Sequence, residues 1–112
     1  MEEMVIFTRT YELLGWILGA CERFPKAQRF VVTKRLQDAI LDFQEALYMA
    51  NAANGRTRSN HLQAADAHLN KVRLYLRYAH ERTWLSGGQY QHASRLVAEV
   101  GRMLGGWLRQ SR

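Results

Sequence analysis

Apolar residues recur three and four positions apart along nearly the whole chain, and only three places interrupt the rhythm. The longest run is Leu62, Ala65, Leu69, Val72, Leu76 and Ala79. A second is Leu36, Ile40, Phe43, Leu47 and Ala50, and a third Ala93, Val97, Val100, Leu104 and Trp107. Near the start, Phe7, Tyr11, Leu14, Leu18 and Cys21 follow the same spacing. At 100° per residue each set falls on one stripe of a helix, and no stretch alternates as a half-buried strand would. The interruptions are Pro25, residues 51–55, and Ser86-Gly87-Gly88. Proline favours a helix start, Asn-Gly suits the left-handed residue that ends a helix, and Ser86 with Gln89 three residues later has capping-box spacing. Helices are therefore predicted over residues 4–24, 26–53, 59–84 and 88–110. Four long helices joined by short loops, each with one apolar stripe, make an all-α, antiparallel up-down-up-down four-helix bundle the simplest solution. Residues 1–112 form one domain, since a chain of this length supports a single core.

Composition narrows the class. Hydrophobic residues at 47% and charged residues at 23% are globular proportions, so the chain folds by packing rather than staying disordered. The one cysteine, Cys21, has no internal disulfide partner, which fits a cytoplasmic location, and it reads as a small buried hydrophobe. The start is acidic where a secretory leader is basic. The longest uncharged stretch of the first helix, residues 13–21, falls short of the roughly 20 apolar residues that span a bilayer, so no membrane association is expected.

Charge is distributed unevenly. Up to Ala46 there are six basic and seven acidic residues, and from Leu47 onward ten basic and three acidic, giving −1 and +7. The net +6 therefore comes from helices three and four and favours polyanionic or acidic partners. On the fourth helix Arg95, Arg102 and Arg109 repeat every seven residues and stay within about 40° of one another, away from the apolar stripe. Such a ladder, with rungs about 10.5 Å apart, suits phosphate contacts, or is a solvated face. On the third helix Arg73 and Arg77 lie one turn apart beside the core stripe, able to grip a docked partner or to pair with Asp66 a turn and a half earlier. Leu74, Tyr75, Tyr78 and Leu85 are assigned to the side of that helix away from its core. They make it apolar on two faces, as at a subunit interface, or they widen the core. Gly15 with Gly19 and Gly101 with Gly105 are spaced for close helix approach, within the bundle or between subunits.

Catalytic and metal-binding patterns are sparse. Asp38, Asp42 and Glu45 share an outward face of the second helix and read as a solvated acidic surface pairing with Lys34 and Arg35, or one that meets the basic face of a neighbouring subunit. His61 and His68 share a side but stand about 10.5 Å apart, too far for one metal ion. No phosphate loop, nucleophile elbow or paired-cysteine motif occurs. No cofactor and no enzymatic activity is expected. Arg73 and His80 do fit the arginine-to-histidine spacing of helical HEPN-type ribonucleases, though Leu74 stands where a polar residue usually follows the arginine.

The second half carries a more specific pattern. Ala64-Ala65-Asp66, Leu69, Arg73-Leu74 and Leu76-Arg77, followed by Ala98-Glu99-Val100-Gly101-Arg102-Met103-Leu104-Gly105 and Trp107, resemble the accessory variability determinant (Avd) family of diversity-generating retroelements. The resemblance spans roughly the last 50 residues, while the first two helices agree in length and pattern. It implies a basic four-helix protein that assembles as a homopentamer, binds RNA and DNA without a strict sequence code, and associates with a reverse transcriptase during mutagenic copying. Arg73, Arg77 and Arg102 fall on motif positions and become expected contacts to polymerase or nucleic acid, whereas Arg95 and Arg109 rest on the ladder alone. A HEPN-like ribonuclease and a structural protein of the ribosomal intervening-sequence type are the other readings.

Overall fold

The apolar stripes become four α-helices. The computed structural model describes residues 2–111, with side chains for residues 5–111. The side chains of Glu2 and Glu3, which give the acidic start, lie outside the described residues. α1 spans Glu2–Cys21, α2 Val32–Asn51, α3 Gly55–Glu81 and α4 Gly87–Gln110. A single 3-10 turn, Lys26–Gln28, precedes α2, and no strand occurs among the described residues. α2 packs on α3 over the largest interface, α3 on α4, α4 on α1 and α1 on α2, while the diagonal pairs stay apart. That closed cycle is the expected up-down-up-down bundle. Its long dimension of 42 Å matches the length of α3, 27 residues at about 1.5 Å each.

The stripes predicted for α2, α3 and α4 are buried throughout. The stripe of α1 is shifted by one position over its first four members: Ile6, Thr10, Leu13 and Ile17 face the core, Phe7, Leu14 and Leu18 flank it, and Tyr11 is 71% exposed, while Cys21 is buried as expected. α1 is apolar on several faces, so spacing alone admits both stripes, and packing between α2 and α4 selects the one through Leu13 and Ile17.

Helix boundaries follow local backbone chemistry. Pro25 caps the short 3-10 turn rather than opening α2, which starts only at Val32 after Val31 takes φ −119° and ψ −102°. Gly55 does adopt a left-handed φ of +56°, but it opens α3 instead of closing α2. The C-terminus of α2 is finished by a side chain: Arg58 Nε donates to the carbonyls of Ala50 at 3.0 Å and Ala53 at 2.8 Å. At the start of α4 the capping box forms as expected, with Ser86 Oγ accepting from Gln89 N–H and Gln89 Oε1 accepting from Ser86 N–H.

Candidate nucleic-acid and partner interface

Arg95, Arg102 and Arg109 stand exposed on α4 because Ala93, Val97, Val100, Leu104 and Trp107 take the opposite side into the core. Among the described residues no carboxylate lies within ion-pair distance of any of the three. Glu99, the only carboxylate on α4, is drawn to Arg9 Nε of α1 at 3.2 Å and turned from the row. Their positive charge is therefore uncompensated on that exposed face.

Arg73 joins this surface from α3. Its Nη1 donates to Asn70 Oδ1 at 2.7 Å, and its guanidinium lies across α4 where Gly101 has no side chain. This places Arg73 against the backbone immediately before Arg102. Arg77 behaves differently: its Nε donates to Glu81 Oε2 at 3.1 Å in an exposed ion pair. Neither arginine pairs with Asp66, the partner considered from the sequence. An exposed pair such as Arg77–Glu81 is worth little in stability and leaves the cation open to exchange for a stronger anion.

Between α3 and α4, Arg73, Leu76, Tyr90, Ser94, Val97 and Ala98 line a cavity of about 210 Å³. A guanidinium, a hydroxyl and a phenol on apolar walls supply donors for a phosphate oxygen or a partner's carboxylate. Tyr90 is held by stacking on His80, with ring centroids 4.6 Å apart and planes 6° apart. His80 Nδ1 donates to the Leu85 carbonyl at 3.2 Å, so this ring fixes the α3–α4 loop. Tyr90, Ser94 and Ala98 were not among the expected site residues. Their signal is the four-residue spacing that puts them on the flank of α4 that Arg73 reaches.

A sequence model of the bAvd-like family matches residues 4–111. The chain belongs to the bAvd-like family. No curated protein sequence matches this bAvd-like chain. It is similar in fold to a protein of unknown function from the S23 ribosomal protein family of Bacteroides thetaiotaomicron VPI-5482, whose crystal structure was solved at 1.70 Å resolution. The TM-score is 0.89 at 18% identity, covering 97% of this chain and 99% of that one.

In the bAvd-like protein, the expected subunit-interface residues separate. Leu74 and Tyr78 are 56% and 42% exposed on α3, and Tyr75 is half-buried against the core. Leu85 is corrected: at 2% exposure it belongs to the core of its own chain. The cause is that α3 ends at Glu81, after which Thr83 takes a left-handed φ of +65° and turns the loop inward. The glycine pairs of the bAvd-like chain divide. Gly15 and Gly19 face open space and pack against no helix of their own chain, Gly101 faces Arg73 and Leu69 of α3, and Gly105 lies beneath the Arg109 guanidinium of its own helix. On the acidic face Lys34 Nζ pairs with Asp38 at 2.8 Å as expected. Among the described residues no group of three or more His, Cys, Asp or Glu is placed to hold a metal, and no helix is long and apolar enough to cross a membrane.

Proposed function

We propose that this bAvd-like protein is a non-catalytic accessory subunit of a diversity-generating retroelement, binding the reverse transcriptase and RNA or DNA through the basic surface of α3 and α4 and so supporting mutagenic retrohoming. The observation that carries this reading is the uncompensated row of Arg95, Arg102 and Arg109, extended by Arg73 over Gly101 while Arg9 removes Glu99 from the same surface. Such a surface contacts phosphates independently of sequence, and the polymerase supplies the chemistry. Assembly as a homo-oligomer, a pentamer in this reading, brings copies of the row together and multiplies the charge of +6.

Co-purification with the cognate reverse transcriptase, and filter binding of its template RNA across a salt series, test the reading. Four phosphate contacts to a single strand predict an affinity loss of about 50-fold between about 50 and 200 mM salt. The double change Arg73→Glu with Arg77→Glu abolishes polymerase or nucleic-acid association while helical circular dichroism is retained. Salt-independent binding, or unchanged co-purification of the double variant, overturns the proposal.

A further inference from the structure

On the flank of α3 away from Arg73, the groove between α2 and α3 opens into a cavity of about 430 Å³, within the roughly 300–1,000 Å³ range of small-molecule sites. Three chemistries meet on its walls. Phe30 and Tyr75 give aromatic surface, Asp38 and Asp42 give carboxylates from successive turns of α2, and Lys34 and Lys71 give cations from facing helices. Phe30 is 76% exposed on the turn ahead of α2, with the Arg29 guanidinium over its ring at 5.1 Å from the centroid. Among the described residues no other ring stacks on it. The charges are not equivalent. Lys34 and Asp38 neutralise each other at 2.8 Å, whereas Asp42 and Lys71 have no ion-pair partner among the described residues.

That mixture selects its ligand. A bare anion or an anionic lipid headgroup leaves the two rings and Asp42 without a partner, and a partner helix needs a continuous apolar floor that these ionic walls do not give. A nucleotide matches all three chemistries: a π face for the rings, an edge with N–H donors for a carboxylate, and a phosphate for a cation. Guanine alone among the common bases presents two adjacent donors, N1–H and N2–H, to one carboxylate. We infer that the α2–α3 groove binds one guanine nucleotide unit, with the base against Phe30 and Tyr75, its N1–H and N2–H edge on Asp42, and its phosphate at Lys71 and the exposed Arg35. The inference rests on the nucleic-acid reading above for the source of the nucleotide, and the site itself is separate from the arginine row. It adds a base preference to an otherwise sequence-independent grip.

The test compares GMP with AMP by NMR titration of the full chain, and r(U5GU5) with r(U5AU5), neither of which pairs with itself, by fluorescence anisotropy. Wild type is expected to prefer guanine about tenfold in both formats, or in the strand alone if only the strand-borne nucleotide is bound. Asp42→Asn removes the preference, and Phe30→Ala weakens binding of either ligand about tenfold. Both positions are exposed, and circular dichroism checks that the variants fold. Arg73→Glu with Arg77→Glu lowers strand affinity but leaves GMP binding and the guanine preference intact, which separates this site from the arginine surface. The inference is overturned if wild type shows no guanine preference in either format, or if Asp42→Asn and Phe30→Ala bind like wild type. It is also overturned if Phe30→Ala loses only co-sedimentation with phosphatidylserine vesicles, which would assign that ring to a lipid surface. If instead the pocket variants lose binding while the arginine variants do not, it is the α3–α4 assignment that fails.

Discussion

The guanidinium of Arg73 fills the space a side chain at Gly101 would take, for a Cβ there would lie 2.7 Å from Nη2. The atom in the way is the far end of a flexible side chain, so substitution is tolerated by moving it. Gly101→Ala therefore gains the helix preference of alanine over glycine, about 1 kcal/mol, and raises Tm by a few degrees while displacing Arg73. Binding to polymerase or RNA weakens in the same variant. Gly105→Ala, whose nearest neighbour is Arg109 Nη1 at 3.6 Å, stabilises without that loss. Thermal melts and anisotropy on the two variants check the contrast, and equal binding by both would detach Arg73 from the interface.

Arg58 closes α2 from the first turns of α3. Two bonds to Ala50 and Ala53 carbonyls, with the guanidinium 6.0 Å from the Trp107 ring centroid, tie three helices at one end of the bundle. Arg58→Ala takes the side-chain donor from the Ala53 carbonyl, while the Ala50 carbonyl keeps the Ala53 N–H, and is expected to cost about 1 kcal/mol in urea unfolding. Arg58→Lys recovers only part, because both carbonyls share the single Nε–H, and lysine carries a methylene at that point of its stem.

Leu74 and Tyr78 project from α3 where the chain itself does not cover them. If they meet a sister subunit, Leu74→Glu with Tyr78→Glu lowers the mass in light scattering while circular dichroism stays helical. A chain that is monomeric before and after the change removes them from any assembly.

Cys21 lies in the core, where burial pushes its thiol up to about 11 from an ordinary value of 9.0. The unfolded chain gives up this proton first, so the contribution to stability is whole below pH 9 and declines as pH rises toward 11. Cys21→Ala flattens that part of the stability profile. At pH 8 a thiol-specific reagent modifies the native protein about 100-fold more slowly than the denatured one, in proportion to thiolate. Equal rates would show that the thiol is not sequestered.

How much of this is legible in the sequence depends on whether a feature is carried by one helix or by two. Leu36 to Ala50, Leu62 to Ala79 and Ala93 to Trp107 are plain in the spacing, because each keeps its rhythm over several turns with no equally long apolar stripe directly beside it. α1 offers Ile6 beside Phe7, Leu13 beside Leu14 and Ile17 beside Leu18, so the choice of stripe needs its neighbours. Leu85 is apolar and follows α3, yet a left-handed Thr83 decides that it turns inward. The ladder of Arg95, Arg102 and Arg109 follows from a seven-residue repeat. Arg73 over Gly101 and Arg9 on Glu99 join helices far apart in sequence, and a linear pattern carries no sign of either.

The unequal interfaces have a consequence for the order in which the molecule comes apart. α2 and α3 share the most extensive packing and are joined by three residues, 52–54, so their union needs little loop closure. Amide protons in the middle of these two helices should exchange with deuterium last, and those of α1, held through two smaller seams, should exchange first. A hairpin that stays intact while its flanking helices breathe keeps Lys71 and Tyr75 opposite Asp38 and Asp42 even as the outer surface rearranges around a visitor.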